Sequence, residues 1–225
     1  GHVPPEVVNK IKDELGYDRP ILVQYKEYLG NIARGDFGTT ITDRRSVGDI
    51  IVVNGAATLE LTFYAMIVAI VVGVTFGMVA GRYRDTWIDG GGRLFGILIY
   101  ATPVFFLGLM AQLFFGSYLG WLPTSDRASP LVDATLQTHT HIYTIDTLWN
   151  GDWDAFVDVV KHLILPAVTL GLVTAGVFIR LVRVNVIRTM KDDYIEAARA
   201  RGINERSVVY HHAFRNALVP VITVV

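Results

Sequence analysis

Cysteine is absent from the 225 residues. That excludes a disulfide framework, a thiolate metal site and a cysteine nucleophile. Other chemistry is missing too. No Gly-x4-Gly-Lys-[Ser/Thr] loop is present, so the chain does not bind ATP through a P-loop. No Gly-x-Ser-x-Gly or His-Glu-x-x-His motif appears. The formal net charge is −1, so no bulk basic field points to nucleic acid. No basic n-region, apolar h-region and cleavage site open the chain, and no signal peptide is expected in it. The sequence starts at Gly1 without Met and stops inside an apolar run at Val225. It reads as a fragment lacking at least one span at each end. No catalytic residue is assigned.

What is present is apolar: 52% of residues are hydrophobic and the mean hydropathy is +0.39, outside the range of an ordinary soluble domain. Three complete spans are predicted, with the start of a fourth from Ala217. The first runs over 58–80, free of charge from Leu61 onward for about 20 residues, enough for ~30 Å of hydrocarbon. Glu60 stands at its start, where it is expected to stay hydrated. Gly73 and Gly77 form a G-x-x-x-G pair, which is either a close-packing face or incidental glycine. The second span covers 94–119 and is interrupted at Thr102-Pro103, where proline removes one backbone hydrogen bond and predicts a kink. The third covers 162–182, with Pro166 in its first turn, and continues toward Met190. The fold class expected is all-α, a polytopic helical membrane protein.

Between and before these spans the chain is polar. Residues 1–55 read as an extracytoplasmic amphipathic region. One helix carries Val7 or Val8, Ile11 and Leu15 and ends at Gly16; a second starts at Pro20, presents Leu22, Tyr25, Leu29 and Ile32, and stops near Gly35. Ser46 is placed to cap a short helix ending at Asn54-Gly55. Residues 56–225 form the transmembrane domain. Its loop over 120–161 carries Asp126, Asp133, Asp146, Asp152, Asp154 and Asp158 against Arg127 and Lys161. His139 and His141 invite a metal reading. Their spacing is not the i,i+4 of helical zinc pairs and no third ligand is placed, so a solvated loop is expected instead. Basic residues gather elsewhere: Arg82, Arg84 and Arg93 in one short loop, and eight Lys or Arg from Arg180 to Arg215. By the loop-charge rule, 81–93 and 183–216 face the cytoplasm, and 1–57 and 120–161 face outside.

The most informative stretch is Asp192 to Gly202. Asp193 and Glu196 have the spacing of a capping box, the alanines favour helix, and Gly202 supplies a stop. Asn204 or Ser207 is placed to cap a second helix through Arg206 to about Asn216. A helix, a glycine turn and a helix on the arginine-rich side form a hairpin over 191–216, suited to a soluble partner.

Glu196-Ala197-Ala198, three residues, then Gly202 resembles the "EAA" loop of permease subunits of ABC importers. His212-Ala213-Phe214-Arg215-Asn216-Ala217-Leu218-Val219-Pro220 is similar to the dipeptide/oligopeptide and nickel branch of that family. The general motif has a proline soon after the ninth residue beyond the glycine; here Arg215-Asn216 stand there and Pro220 comes later, which favours the peptide branch. Asp18-Arg19-Pro20 and Gly35-Asp36-Phe37-Gly38 resemble two further signatures of peptide permeases.

The resemblance implies a type I importer permease core with no cofactor on this chain; ATP and Mg belong to partner ATPase subunits. It implies coupling to them through Tyr194, Glu196, Ala197, Ala198, Gly202, His212 and Asn216. Tyr100, Thr102 and Pro103 become candidates for the pathway wall or gate, although a plain packing kink accounts for each of them. The implied partners are the ATPases, a second homologous permease, an extracytoplasmic substrate-binding protein and the lipid bilayer. The implied cargo is a di- or oligopeptide, nickel or a related small solute.

Two other classes compete. A secondary transporter or channel would normally show intramembrane charges or broken-helix repeats, and neither is visible in the sequence. A membrane scaffold holding a soluble partner is permitted by the long polar regions. An intramembrane enzyme would bury polar catalytic groups, whereas away from their ends these spans hold only Thr, Tyr, Ser and Gln112.

Overall fold

The computed structural model describes residues 19–40, 42–209 and 214–217. The expected helix around Ile11 and Leu15 lies outside the described residues, as do Asp18 and His212. The chain divides into two compact units, Gly1–Ala56 and Ala57–Val225.

In the first unit, α1 (Ile21–Ala33) begins behind Pro20 and carries no buried residue. Gly35 ends it in a left-handed turn with φ of 81°. The Gly35 N–H donates to the Ile32 carbonyl at 2.9 Å and the Asp36 N–H to Asn31 at 2.9 Å, which is the two-bond glycine cap of a helix C-terminus. The next turn is local as well: the Asp36 carboxylate accepts from the Gly38 N–H at 2.9 Å, and Gly38 has φ of 77°.

Helix α2 (Val47–Arg82) begins where expected, the Ser46 hydroxyl accepting from the Asp49 N–H at 3.4 Å. It does not stop at Asn54-Gly55. Asn and Gly are weak helix formers rather than breakers, and a long helix with apolar residues on both sides of them absorbs a cost of about 1 kcal/mol.

In the second unit the remaining elements are α3 (Trp87–Ala101), α4 (Val104–Ala111), a π-helix (Gln112–Tyr118), α5 (Pro130–Thr135), α6 (Tyr143–Trp149), α7 (Trp153–Thr189), α8 (Asp193–Ala200), α9 (Glu205–Ser207) and α10 (Phe214–Ala217). Among the described residues two helices are long and apolar enough to cross a membrane unaided: α2, with 36 residues, and α7, with 37. Each is about 55 Å long, so each extends well beyond a ~30 Å hydrocarbon layer.

These two helices pack in parallel through glycine. A Cβ placed on Gly73 would lie 2.3 Å from the Phe178 Cβ, on Gly77 2.7 Å from the Val182 Cβ, and on Gly81 2.8 Å from the Val186 Cβ. From the other side, a Cβ on Gly171 would meet the Ala65 carbonyl at 2.7 Å. The pair read in the sequence is therefore a three-glycine stripe, and it is a close-packing face. Partners advance together along both helices, so the chain must return across the membrane between them.

The return is the bent pair formed by α3 and the segment 104–118, turned by 102° at Thr102-Pro103. The expected kink is a break. Both residues are extended, as the steric demands of proline on its predecessor require. The Thr102 hydroxyl donates to the Leu98 carbonyl at 2.6 Å, occupying an acceptor at the broken helix end.

The segment expected as a solvated loop over 120–161 is not one. It contains α5, α6 and the first turns of α7, and Thr144, Asp146 and Thr147 are buried. Glu60 is not hydrated either. It is 4% exposed and held by Arg127 Nη2 at 2.7 Å, by the Thr144 N–H at 2.7 Å and by the Thr144 hydroxyl at 2.8 Å. A carboxylate removed from water needs compensating donors, and this segment supplies them.

Candidate functional site

The hairpin after α7 is built from an apolar interior and a polar exterior. Asp192 is the N-cap residue of α8 and makes no side-chain capping bond. The expected capping box of Asp193 and Glu196 therefore does not form: Asp193 is already the first helical residue, and Glu196 falls one place beyond the reciprocal position. Both acids remain in the first turn, where the helix dipole favours negative charge.

The far end of α8 follows the expectation. Gly202 has φ of 74°. Its N–H donates to the Arg199 carbonyl at 2.9 Å, and the Ile203 N–H to Ala198 at 3.2 Å. This two-bond cap reverses the chain into α9. Ile195, Ala198 and Val208 form a buried cluster, with Met190 and Ile203 packed against it. The hairpin is thus closed by its own core, in keeping with the hydrophobic contact that accompanies such caps.

Tyr194, Glu196, Ala197 and Gly202 are exposed on this hairpin. Ala198 is not: it is buried in the interior, so its small side chain serves internal packing rather than an approaching surface. Asn216 belongs to α10, next in chain order to the hairpin. A salt bridge clasps the two arms, Arg199 Nε and Nη2 donating to the two Glu205 carboxylate oxygens at 3.1 and 2.8 Å. The bond to Arg199 holds the Glu205 carboxyl below the usual range, and the same bond raises the Arg199 guanidinium.

The pathway candidates gather at the break. Tyr100 is exposed two residues before Thr102, and Thr102 and Pro103 form the break. Among the described residues no three His, Cys, Asp or Glu side chains are grouped to hold a metal ion. The His139 ring lies against Trp149 at 5.9 Å, and Asp146 Oδ1 accepts from the Thr140 N–H at 2.9 Å and its hydroxyl at 2.8 Å.

Two charged pairs were invisible to sequence reading. Arg127 joins Glu60 from 67 residues away and also stacks over the Tyr143 ring at 3.8 Å. Arg183 on α7 grips Asp89 at the start of α3, Nε to Oδ1 and Nη2 to Oδ2, both at 2.7 Å, across 94 residues. Asp89 is fully buried. No local pattern signals either pair. The third glycine of the stripe, Gly81, was legible from its four-residue spacing.

Residues 73–225 match the family described as binding-protein-dependent transport system inner membrane component. The chain belongs to this family. The inner-membrane family and the long apolar helices agree with a membrane location. Curated relatives are similar over nearly the whole chain. The dipeptide transport system permease protein DppB of Alkalihalophilus pseudofirmus is 36% identical over 221 residues, covering 98% of this chain and 66% of that protein. The di/tripeptide transport system permease protein DppB of Pseudomonas aeruginosa is 37% identical over 222 residues, covering 99% and 66%. The glutathione transport system permease protein GsiC of Salmonella choleraesuis is 33% identical over 218 residues, covering 97% and 61%. The chain therefore spans about two-thirds of the length of these relatives. All three are named as transport-system permeases, the first for dipeptides and the second for di/tripeptides.

Proposed function

We propose that this chain is the membrane-spanning permease part of an ATP-driven importer for di- or oligopeptides. The observation that carries the reading is the hairpin at the end of α7: a closed apolar interior, and an outer surface that offers Tyr194, Glu196, Ala197 and the Gly202 turn. A helical hairpin so built seats in a groove of an ATPase subunit as one body. His212 and Asn216 belong to the same coupling segment in this reading. ATP-driven closure of two ATPases moves two such hairpins, and the spans exchange inward-open for outward-open states. The free energy comes from the difference in ATP binding between those states, transmitted through the hairpin contact.

The pathway is shared with a second homologous permease, and a substrate-binding protein delivers cargo outside. The break at Tyr100, Thr102 and Pro103 is the gate candidate in this arrangement. Residues 81–93 and 183–216 face the cytoplasm; 1–57 and 120–161 face outside. ATP and Mg reside on the ATPase, and this chain performs no chemistry of its own. The deciding experiment is purification of the full-length protein from cells that express its transport system. P-loop ATPase subunits should co-purify, and the complex in liposomes should take up dipeptides only with ATP and the binding protein. Uptake without ATPase subunits would instead establish a secondary transporter.

A further inference from the structure

We propose that the ion pair between buried Asp89 and half-buried Arg183 is the strut that carries hairpin movement to the break in the second span. This assignment rests on the transport reading above. Arg183 lies under two turns, by the usual helical repeat of ~3.6, before α7 ends at Thr189. The hairpin follows at once, because α8 starts at Asp193. Met190, the residue that closes α7, packs against both the hairpin core and the Val182–Val186 cluster. The lower part of α7 and the hairpin are therefore bound together by packing as well as by chain continuity.

Asp89 receives that end of α7. It sits in the first turn of α3 and is held from three sides. Arg183 grips both carboxylate oxygens at 2.7 Å. The Asp85 N–H donates to Oδ2 at 3.2 Å. Arg93 adds a longer ion pair at 3.6 Å. A two-pronged guanidinium–carboxylate contact fixes direction as well as distance. Breaking it would leave a charge buried without its partner, so the pair resists parting when one side is pulled. Thus α3 has to follow the end of α7 at this point.

The other end of α3 is the 102° break at Thr102-Pro103. From Asp89 to Ala101 the helix is about 18 Å of continuous rod by its rise per residue. Thr102 and Pro103 are free of helical hydrogen bonding on one side, so they are where rotation of that rod is absorbed. Displacement of the hairpin becomes displacement of Arg183, then of Asp89, then a change of angle beside Tyr100. Asp89 and Arg183 are positioning residues in this scheme; neither touches cargo or nucleotide.

The test uses the full-length transporter with its ATPases, its binding protein and a dipeptide. Asp89→Asn removes the charge while keeping the shape, and Arg183→Lys keeps the charge while losing the fork. Three quantities are read: ATPase co-purification, basal ATP hydrolysis, and its stimulation by loaded binding protein. Both variants should assemble with wild-type amounts of ATPase and hydrolyse ATP at the basal rate. The ratio of stimulated to basal hydrolysis should fall about tenfold in Asp89→Asn, within the usual range of an intersite coupling, and by less in Arg183→Lys. A ratio unchanged in assembled complexes overturns the strut. Loss of ATPase co-purification in both variants overturns it as well, because the pair would then support the fold of the docking site. If only Asp89→Asn fails to assemble, Arg183→Lys decides. A wild-type protein that binds no ATPase would instead refute the transport reading itself, so the two failures are distinguishable.

Discussion

The two ends of α7 are held together in opposite ways. Near Trp153 polar groups are buried beside Ala155 and Val159: Glu60, Thr144, Asp146 and Thr147 lie out of water. Arg127 bridges Glu60 to the His141 carbonyl, to which it donates at 3.0 Å. Beyond Thr189 the arrangement is inverted, with Ile195, Ala198 and Val208 inside and Glu196, Arg199, Arg201 and Glu205 outside. A polar interior is directional. Its bonds reach specific acceptors, and sliding the segment breaks several of them at once. An apolar interior is indifferent to direction, and it leaves the charged groups on the outer surface. The first construction fixes a segment against a span; the second presents a movable, self-contained surface.

The largest effect should come from breaking the polar end. Arg127→Ala leaves the Glu60 carboxylate without its charge partner, and loss of one member of a buried pair costs roughly 3–5 kcal/mol. Arg127 retains some exposure, so about 3 kcal/mol is expected, read as a lowered midpoint of thermal unfolding in detergent. Removing both charges with Glu60→Gln and Arg127→Leu should recover part of the loss. A single variant as stable as wild type would show that the polar end holds nothing.

Next comes the seam common to both ends, the glycine stripe. Gly73→Ala puts a methyl 2.3 Å from the Phe178 Cβ, and overpacking of this sort costs typically 1–3 kcal/mol. Gly176, on α7, has open space around its Cβ. Gly176→Ala should therefore be neutral or stabilising by about 0.5–1 kcal/mol, the ordinary helix preference. Equal behaviour of the two variants would mean that α2 and α7 do not pack at this seam.

A pH titration separates the ends further. Burial pushes the Asp146 carboxyl up, but the N–H and hydroxyl of Thr140 with the N–H groups of His139 and His141 outweigh it, and its folded pKa is lowered. A lowered folded pKa stabilises above the unfolded value, near 3.9, and the contribution is lost as pH falls through the folded value. Amides 139–147 should then keep their hydrogen-exchange protection on acidification to about pH 4 and lose it only below that. Opening well above pH 4 would contradict this sign. In Asp146→Asn the acid-dependent step should vanish.

How much of each end was legible in the sequence follows from the range of its interactions. The hairpin was read from local signals: Gly202 ends α8 through bonds reaching no more than five residues back, and Gly35 does the same for α1. The capping box failed because one step of register separates Asp192 from Asp193, and spacing alone does not set register. The polar end was missed because its pairs join residues 67 and 84 positions apart. Its acids looked solvated while their partners were unknown. Pro103 announced a disturbance, yet the 102° turn depends on Thr102 leaving the helix with it. Asn54-Gly55 misled in the opposite sense, since a propensity cost is small against a 36-residue helix.

The smallest effect on stability should come from the hairpin surface, and it is the sharpest test of the comparison. Glu196 is exposed in the first turn of α8, one place beyond the reciprocal capping-box position. Its place in the first turn of α8 is worth only about 0.5–1 kcal/mol through the helix dipole. Glu196→Lys should thus leave membrane insertion and the unfolding midpoint nearly unchanged. Gly202→Asp forces a side chain into a backbone with φ of 74°, at about 1 kcal/mol, because Asp is among the residues that tolerate that region. If the apolar interior serves to present a surface, both variants in the full-length protein should abolish substrate-stimulated ATP hydrolysis and uptake at normal expression, measured on the reconstituted complex. A charge reversal facing a basic group on a partner loses several times its worth as a local cap. Normal coupling in both would reduce the hairpin to a structural turn, and the contrast between the two ends of α7 would be one of packing alone.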